Sequence, residues 1–164
     1  MNSLSPSLAK ARVLALLAPI AMLAGAYAFQ YFGGLHPCEM CWWQRYAHFA
    51  AIPLALIAFG VRGRACISGL FAGFAGIAVG VSGLIGLFHA GVEYGWWEGL
   101  TTCSTSPAGG SATDLLNQIM ASPITRCDVA PWHMFGISMA GYNGLLSSAA
   151  ALAILALLLK ARKA

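Results

Sequence analysis

Two cysteines three positions apart are the residues in this sequence best suited to redox chemistry. Cys38 and Cys41 form a Cys-Glu-Met-Cys motif that follows Pro37 and opens an apolar stretch. Two thiols at this spacing are close enough to bridge, and a helix N-terminus at this point would stabilise a thiolate. The motif also matches half of a zinc site, but no second Cys-x-x-Cys accompanies it. These features favour a redox pair.

Three polar residues at the edges of apolar stretches are candidates to act with this pair. Arg45 and His48 follow Cys41 by four and seven positions, so a helix would place all three on one face. An arginine inside a membrane boundary is costly and tends to mark a charge or ligand site, with snorkelling to the interface as the alternative. For His48 an interhelical hydrogen bond is the stronger interpretation. His89 fits headgroup binding and interface anchoring equally well.

The composition excludes a soluble globular enzyme. Hydrophobic residues make up 59% of the 164 residues and charged residues 9%, whereas soluble domains have about 45–50% apolar residues and about a quarter charged. All five acidic residues lie between apolar runs, on the side opposite most of the basic ones. This alternation is the positive-inside pattern of a four-span protein with both termini in the cytoplasm. Nucleic-acid binding is disfavoured, because it needs basic residues clustered on one face.

Four apolar stretches are long enough to cross a membrane as helices, which takes about 20 residues. They cover residues 13–32, 42–61, 67–89 and 136–159. A cytoplasmic turn falls at 62–66, and external segments, which are periplasmic in a bacterial inner membrane, cover 33–41 and 90–132. The first stretch is longer than the core of a signal peptide. The sequence therefore predicts an all-α membrane protein, a single domain over 1–164 that forms a four-transmembrane-helix bundle.

This topology sorts the remaining cysteines. Cys103 and Cys127 fall in the long external segment, and Cys66 falls at the cytoplasmic end of the third stretch. Disulfides persist outside a bacterial membrane and are rare in the cytosol. We therefore expect the four external cysteines to be pairable and Cys66 to be a small apolar helix residue. Four cysteines allow three pairings, and their spacing does not choose among them.

The long external segment also contains an amphipathic pattern. After Ser111 and Thr113, four apolar residues fall on one helical face, namely Leu115, Leu116, Ile119 and Met120. A short amphipathic helix on the membrane surface and an amphipathic turn packed on the loop both fit this pattern.

The positions of glycine and tryptophan elsewhere in the chain are also typical of membrane proteins. Glycine recurs at spacings of three and four along the third stretch, which predicts close helix packing rather than a dinucleotide site. These positions are Gly69, Gly73, Gly76, Gly80, Gly83 and Gly86. The tryptophans lie near the external boundary, where an aromatic belt or the floor of a pocket for a flat ligand would place them. They are Trp42, Trp43, Trp96, Trp97 and Trp132.

Together these residues resemble the disulfide bond formation protein B family, the quinone-linked thiol oxidases of bacterial inner membranes. The resemblance covers nearly the whole chain and depends on three features. These are Pro37-Cys38-x-x-Cys41-x-x-x-Arg45, a second external cysteine pair, and Cys127-Asp128 followed by Trp132-x-x-x-Gly136-x-Ser138-Met139-Ala140-x-Tyr142-Asn143. The chain departs at Gln44, where the family often has Glu, which puts a secondary electrostatic contribution in doubt.

The resemblance implies two redox pairs, Cys38 with Cys41 and Cys103 with Cys127. A reduced DsbA-like thioredoxin-fold protein would attack Cys103 and release Cys127. Electrons would reach the Cys38–Cys41 pair through a Cys38–Cys103 bridge. The protein would thereby sustain disulfide bond formation in the periplasm.

The resemblance also implies the electron acceptor. Cys41 would deliver electrons to ubiquinone or menaquinone from the membrane quinone pool, and Arg45 would hold a quinone oxygen. His89 and His48 are weaker cofactor-binding candidates. No metal or flavin site is needed.

Two other functions fit some of these features. A vitamin K epoxide reductase-like enzyme is also a four-helix thiol enzyme, but its Cys-x-x-Cys is expected near the last spans rather than at the start of the second. A non-catalytic four-span scaffold would use the external cysteines as static bridges. Disulfides that resist reduction would favour the scaffold, and exchangeable ones would favour catalysis.

Overall fold

The structure of the protein is a computed structural model that describes residues 5–100, 113 and 125–163. The described part contains four long helices, α1 (Pro6–Tyr31), α2 (Glu39–Gly60), α3 (Ala65–Glu93) and α4 (Met139–Lys163), and two short strands, β1 (His133–Met134) and β2 (Ile137–Ser138). The predicted helical fold is confirmed. Cys103 and the predicted amphipathic helix over 115–120 lie outside the described residues.

Three of these helices, α1, α3 and α4, are long and apolar enough to cross a membrane. The protein is therefore a membrane protein. Helix α2 has 22 residues but does not meet the same criterion of length and composition among the described residues. Its first half carries Gln44, Arg45 and His48, which lower its hydropathy. That α2 is a fourth span stays a prediction.

The fourth apolar stretch begins with a hairpin rather than with helix. Strands β1 and β2 pair antiparallel, with His133 opposite Ser138 and Met134 opposite Ile137. The two residues between them, Phe135 and Gly136, have φ values of 51° and 78°. Positive φ at both central residues is typical of the two-residue turns that match strand twist. Because this turn uses Gly136, α4 starts only at Met139.

The glycine stripe of α3 packs against α4, which confirms the packing interpretation. A Cβ added at Gly76 would lie 3.0 Å from the Ile154 side chain. A Cβ at Gly86 would lie 2.7 Å from the backbone nitrogen of Gly144, well inside normal contact distance. The close approach of the two backbones therefore requires glycine at Gly86, whereas a side chain at Gly76 would have to displace the Ile154 side chain.

All four helices contribute to the interior of the bundle. Its centre is a cluster of small and β-branched residues, Ala15, Ala51, Ala55, Ala75, Val79 and Ile154. At the end of the bundle where α2 stops and α3 begins, Arg12 is 7% exposed and donates to Ser68 Oγ at 3.2 Å. Ser68 in turn donates to the carbonyl of Ala58 at 2.7 Å. These bonds connect α1, α2 and α3 at the end of the bundle opposite Cys38 and Cys41.

Candidate active site

The Cys38-x-x-Cys41 motif forms the N-terminus of α2, as its spacing predicted. Cys38 is the N-cap residue, and its Sγ accepts a hydrogen bond from the backbone N–H of Cys41 at 3.3 Å. The two sulfur atoms lie 3.0 Å apart, with the Cys38 thiol donating to Cys41 Sγ. This hydrogen bond, followed by burial, raises the pKa of Cys38 above its ordinary value. Cys38 therefore keeps its proton, and Cys41 is the acceptor of the pair.

His89, near the end of α3, lies directly beside this pair. Its Nε2 is 3.6 Å from Cys38 Sγ and 3.8 Å from a carboxylate oxygen of Glu93, one turn further along α3. Its Nδ1 is 3.0 Å from the side-chain amide nitrogen of Gln44. Because an amide nitrogen only donates, Nδ1 must accept, and the neutral ring carries its proton on Nε2. His89 therefore directs an N–H group toward sulfur and carboxylate.

Cys127 joins the same cluster from the second external segment. The ligand atoms of Cys38, His89 and Cys127 all lie within 4.8 Å of one another, and all three residues are buried. The structure thus brings one member of the second implied redox pair next to the first pair. Sulfur and imidazole nitrogen are also the donors that zinc prefers, so these residues could hold a metal ion. The expectation that the protein needs no metal stays a prediction.

Cys41 also lines an apolar cavity of about 420 Å³. This volume falls within the range of roughly 300–1,000 Å³ that is typical of small-molecule sites. Cys38 is not among the residues that line it. Its polar lining includes one face of α2, the segment before α2 and the start of α4, namely Cys41, Gln44, Arg45, His48, His36, Tyr142 and Asn143. The predicted shared face of Cys41, Arg45 and His48 is therefore confirmed.

Arg45 is held inside the bundle rather than snorkelling to its surface. The residue is 6% exposed, and its guanidinium donates to Gln30 Oε1 at 2.5 Å and to the carbonyl of Ala26 at 3.3 Å. Its Cζ lies 4.8 Å from the ring centroid of Tyr27 and 5.1 Å from that of Trp42. These two hydrogen bonds use two of the five guanidinium donors, so donors remain for a ligand oxygen.

His48 has the interhelical role that its position suggested, and it also lines the cavity. Its Nε2 is 2.9 Å from Ser82 Oγ on α3 and 3.1 Å from Asn143 Oδ1 on α4. Ser147 Oγ, also on α4, lies 3.4 Å from the same nitrogen. The residue is 3% exposed. His48 therefore connects three helices at the wall of the cavity.

The tryptophans divide between the two roles that the sequence left open. Trp132 lines the cavity, with its ring centroid 4.9 Å from that of Phe29 and 6.0 Å from that of Tyr142. Trp42 packs on Arg45, as described above. Trp96 is 68% exposed, as expected of a residue in an interface belt.

Several site residues had no assigned role from sequence. The sequence could have indicated Glu93, because this residue follows His89 by one helical turn and so lies on the same face of the helix. Asn143 belongs to the motif that resembles the family, but the sequence predicted no function for it. Gln30 lies on a different helix from Arg45, and no spacing rule relates the two. Cys66 lies at the start of α3, at the end of the bundle away from this site, and is exposed.

Comparison with known proteins gives an independent result. The family profile described as "Disulfide bond formation protein DsbB" matches residues 9–158. An uncharacterised protein of Rickettsia prowazekii (strain Madrid E) is 29% identical over 131 residues, which is 78% of this chain and 74% of that protein. No solved structure matches the chain.

Proposed function

Because the chain belongs to the DsbB family of disulfide bond formation proteins, we propose that it is a membrane thiol:quinone oxidoreductase. It reoxidises a DsbA-like periplasmic thioredoxin-fold protein and passes the electrons to ubiquinone or menaquinone in the bacterial inner membrane. The observation that carries this proposal is the position of Cys41. Its sulfur lies 3.0 Å from that of Cys38, and the same residue lines an apolar cavity of about 420 Å³.

The residues of the cavity fit a quinone. A bound quinone supplies a bilayer-soluble acceptor of two electrons and two protons. Its flat ring suits the apolar and aromatic lining, which includes Phe29 and Trp132. Its oxygens need hydrogen-bond donors, and the buried guanidinium of Arg45 has donors that its contacts with Gln30 and Ala26 do not use.

The thiol side of the reaction uses exchange between the two pairs. A partner thiolate attacks Cys103 of a Cys103–Cys127 disulfide, and Cys127 leaves as a thiolate. The partner's second thiolate then attacks the partner sulfur of the mixed disulfide with Cys103, which leaves the partner oxidised and releases Cys103 as a thiolate. Cys103 attacks Cys38 of the Cys38–Cys41 disulfide, and Cys41 leaves as a thiolate at the cavity. Cys127 then attacks Cys103, which restores the second disulfide and frees Cys38. The approach of Cys127 to Cys38 supports an exchange at this place.

Charged and polar neighbours stabilise the thiolate that exchange produces at this pair. His89 directs its Nε2–H toward Cys38 Sγ, so it stabilises charge on the Cys38–Cys41 pair. The backbone N–H of Cys41 and the N-terminus of α2 act in the same direction. Arg45 lies one helical turn beyond Cys41 and adds a positive charge near the sulfur that leaves.

The test is quinone reduction by the purified full-length protein in lipid nanodiscs. A reduced periplasmic thioredoxin-fold dithiol protein is added with ubiquinone or menaquinone, and quinone absorbance is followed. We expect turnover by the wild-type protein and loss of turnover in Cys41→Ser and in Cys103→Ser. Cys66→Ala is the matched control, because it removes a cysteine at the other end of the bundle.

The outcomes separate this proposal from its alternatives. Turnover that disappears in both variants supports a dithiol-to-quinone oxidase with both pairs on its path. A correctly folded protein that reduces neither quinone, and whose external disulfides resist the dithiol protein, would contradict the proposal and favour static bridges.

A further inference from the structure

The fold completes the half of a zinc site that the Cys38-x-x-Cys41 motif represents. The sequence has no second Cys-x-x-Cys, but α3 supplies His89 and the second external segment supplies Cys127. The donor atoms of Cys38, His89 and Cys127 converge, because all three lie within 4.8 Å of one another. Three cysteines and one histidine are an established ligand set for zinc.

The distances between these donor atoms fit a tetrahedral ion. Zinc lies about 2.3 Å from sulfur and about 2.0–2.1 Å from imidazole nitrogen, which places a sulfur and a nitrogen ligand about 3.5–3.6 Å apart. Cys38 Sγ and His89 Nε2 lie 3.6 Å apart. The sulfurs of Cys38 and Cys41 lie 3.0 Å apart with a proton between them. Two sulfur ligands of zinc lie about 3.8 Å apart, so an ion that replaces this proton separates the sulfurs by less than about 1 Å.

The surroundings of the cluster suit a bound ion. Cys38 Sγ already accepts a hydrogen bond from the backbone N–H of Cys41, and the N-terminus of α2 stabilises negative sulfur. Cys38, His89 and Cys127 are at most 6% exposed, so little water competes for the ion. Cys41 is partly exposed and lines the cavity, which gives an ion a first ligand at the edge of the cluster.

Gln44 determines what His89 must change to bind an ion. Zinc at Nε2 needs the ring proton on Nδ1, whereas in the metal-free protein Nδ1 accepts from the amide nitrogen of Gln44 at 3.0 Å. The amide must therefore turn its oxygen toward Nδ1, as zinc-bound histidine usually donates its other N–H to an oxygen. This rotation gives up the hydrogen bond that the Gln44 oxygen accepts from Asn143 at 2.7 Å.

We propose that the reduced protein binds a zinc ion at this cluster, through three sulfurs and one imidazole nitrogen, and that the ion blocks thiol exchange. The ligands are Cys38, Cys41, Cys127 and His89. The thiols release their protons to solvent when the ion binds. A Cys38–Cys41 disulfide offers no thiolates, so the site exists only in the reduced state. Zinc binding does not depend on the proposed function, whereas the block of exchange rests on it.

The test measures metal binding by the purified full-length protein in detergent, without oxygen. Zn²⁺ is titrated against a chelating dye, and Co²⁺ is added separately because its charge-transfer absorption reports thiolate ligands. We expect stoichiometric binding by the reduced protein and none by the protein oxidised to its disulfides, a comparison that needs no substitution.

Substitutions of the ligands should weaken zinc binding strongly. Losing a residue that only orients a ligand costs about 10–100-fold in metal affinity, so Cys127→Ser and His89→Ala should each cost more than this. Cys66→Ala is the matched control, because it removes a cysteine at the other end of the bundle. It should bind zinc as the wild-type protein does.

Gln44→Glu should strengthen the site. Its carboxylate accepts from Nδ1–H of His89 and from Asn143 at once, without the rotation that the amide needs, so zinc binding should tighten about tenfold. A variant that fails to fold cannot imitate a gain in affinity, so this result stands even where a ligand variant is unstable.

Protection from maleimide locates the ion and completes the test. Bound zinc should slow modification of Cys38, Cys41 and Cys127, measured by mass spectrometry of peptides, and should leave the exposed Cys66 unaffected. Zinc bound equally well by the oxidised protein or by Cys127→Ser would show an adventitious ion only and overturn the inference. If zinc binds as expected but the zinc-free protein reduces no quinone, the proposed function fails and the metal site stands.

Discussion

The side-chain amide nitrogen of Gln44 lies 3.0 Å from Nδ1 of His89, so a residue of α2 determines which nitrogen of an α3 histidine faces the cysteine pair. The same amide nitrogen donates to the carbonyl of Met40 at 3.2 Å, and its oxygen accepts from Asn143 of α4. Gln44 therefore stands between the sulfur cluster on one side and the network of His48 on the other. Its neutral amide both donates and accepts, which a carboxylate at this position would not do.

Replacing Gln44 with Leu should destabilise the protein. The change leaves Nδ1 of His89 without a partner, and an unsatisfied buried group costs about 1–3 kcal/mol. It also removes one of the acceptors of the Asn143 amide nitrogen, which keeps its contacts with Ser82. We expect a lower Tm in detergent, measured by circular dichroism. Tyr46→Phe is the control, because it removes a hydroxyl from a residue of the same helix that is 59% exposed. Equal Tm values for the two variants would show that the network contributes little to stability.

The two cysteines of the motif should differ in reactivity with pH. The hydrogen bond to Cys41 and burial raise the pKa of Cys38, so Cys38 remains a thiol to higher pH than an ordinary cysteine. Only the thiolate reacts with an alkylating agent. In the reduced protein, a short maleimide pulse should therefore modify Cys41 before Cys38, and modification of Cys38 should appear only as the pH rises.

Mass spectrometry of peptides after pulses at several pH values measures this order. Cys41→Ser removes the thiolate that accepts the hydrogen bond of the Cys38 thiol. Cys38 should therefore react at lower pH in this variant than it does in the wild-type protein. Faster reaction of Cys38 than of Cys41 at neutral pH would contradict the assignment of the shared proton.

The elements that carry this site follow from local rules that sequence reveals. Pro37 and the polar start of α2 place Cys38 at a helix cap, and helical spacing places Arg45 and His48 on the face of Cys41. The glycines of α3 predicted close packing because small residues are what such contacts require. Charge alternation predicted on which side of the membrane each segment lies.

The partners of these residues could not be predicted in the same way. Arg45 meets Gln30, and His48 meets Ser82 and Asn143, each on a different helix. Contacts between helices depend on crossing angle and rotation, which periodicity alone does not determine. The sequence also did not predict the hairpin at Gly136. A two-residue strand is too short to show a periodicity of its own, so within an apolar run it looks the same as the start of the helix that follows it.

Removing the fifth cysteine should have no effect on the reaction. Cys66 is exposed near the start of α3, whereas His89 and the cysteine cluster lie near the other end of that helix. Cys66→Ala should keep wild-type turnover with both the thiol partner and quinone, measured by quinone absorbance. In the wild-type protein Cys66 should react with maleimide before Cys38, which is buried. An inactive Cys66→Ala protein with normal Tm would show that a redox residue lies outside the proposed site.

Arg45→Met should impair the quinone side of the reaction and spare the exchange between Cys103 and the dithiol partner. Hydrogen bonds to charged groups contribute about 1.5–3 kcal/mol, so loss of the guanidinium should raise the KM for quinone at least about tenfold. Thiol exchange between Cys103 and the dithiol partner does not involve Arg45, so its single-turnover rate should stay unchanged. Steady-state kinetics with varied quinone and rapid-quench trapping of the mixed disulfide measure the two steps separately.

The hydrogen bond between Gln30 and Arg45 allows a graded version of the same experiment. Gln30→Leu keeps the positive charge but removes the acceptor that orients the guanidinium. It should therefore raise the KM for quinone less than Arg45→Met does, and it should leave kcat nearly unchanged. Tyr31→Phe, at the adjacent residue that is 72% exposed, controls for a change at this end of α1. An unchanged KM in Arg45→Met would disprove the role of Arg45. A Gln30→Leu effect as large as that of Arg45→Met would instead show that orientation of the guanidinium matters as much as its presence.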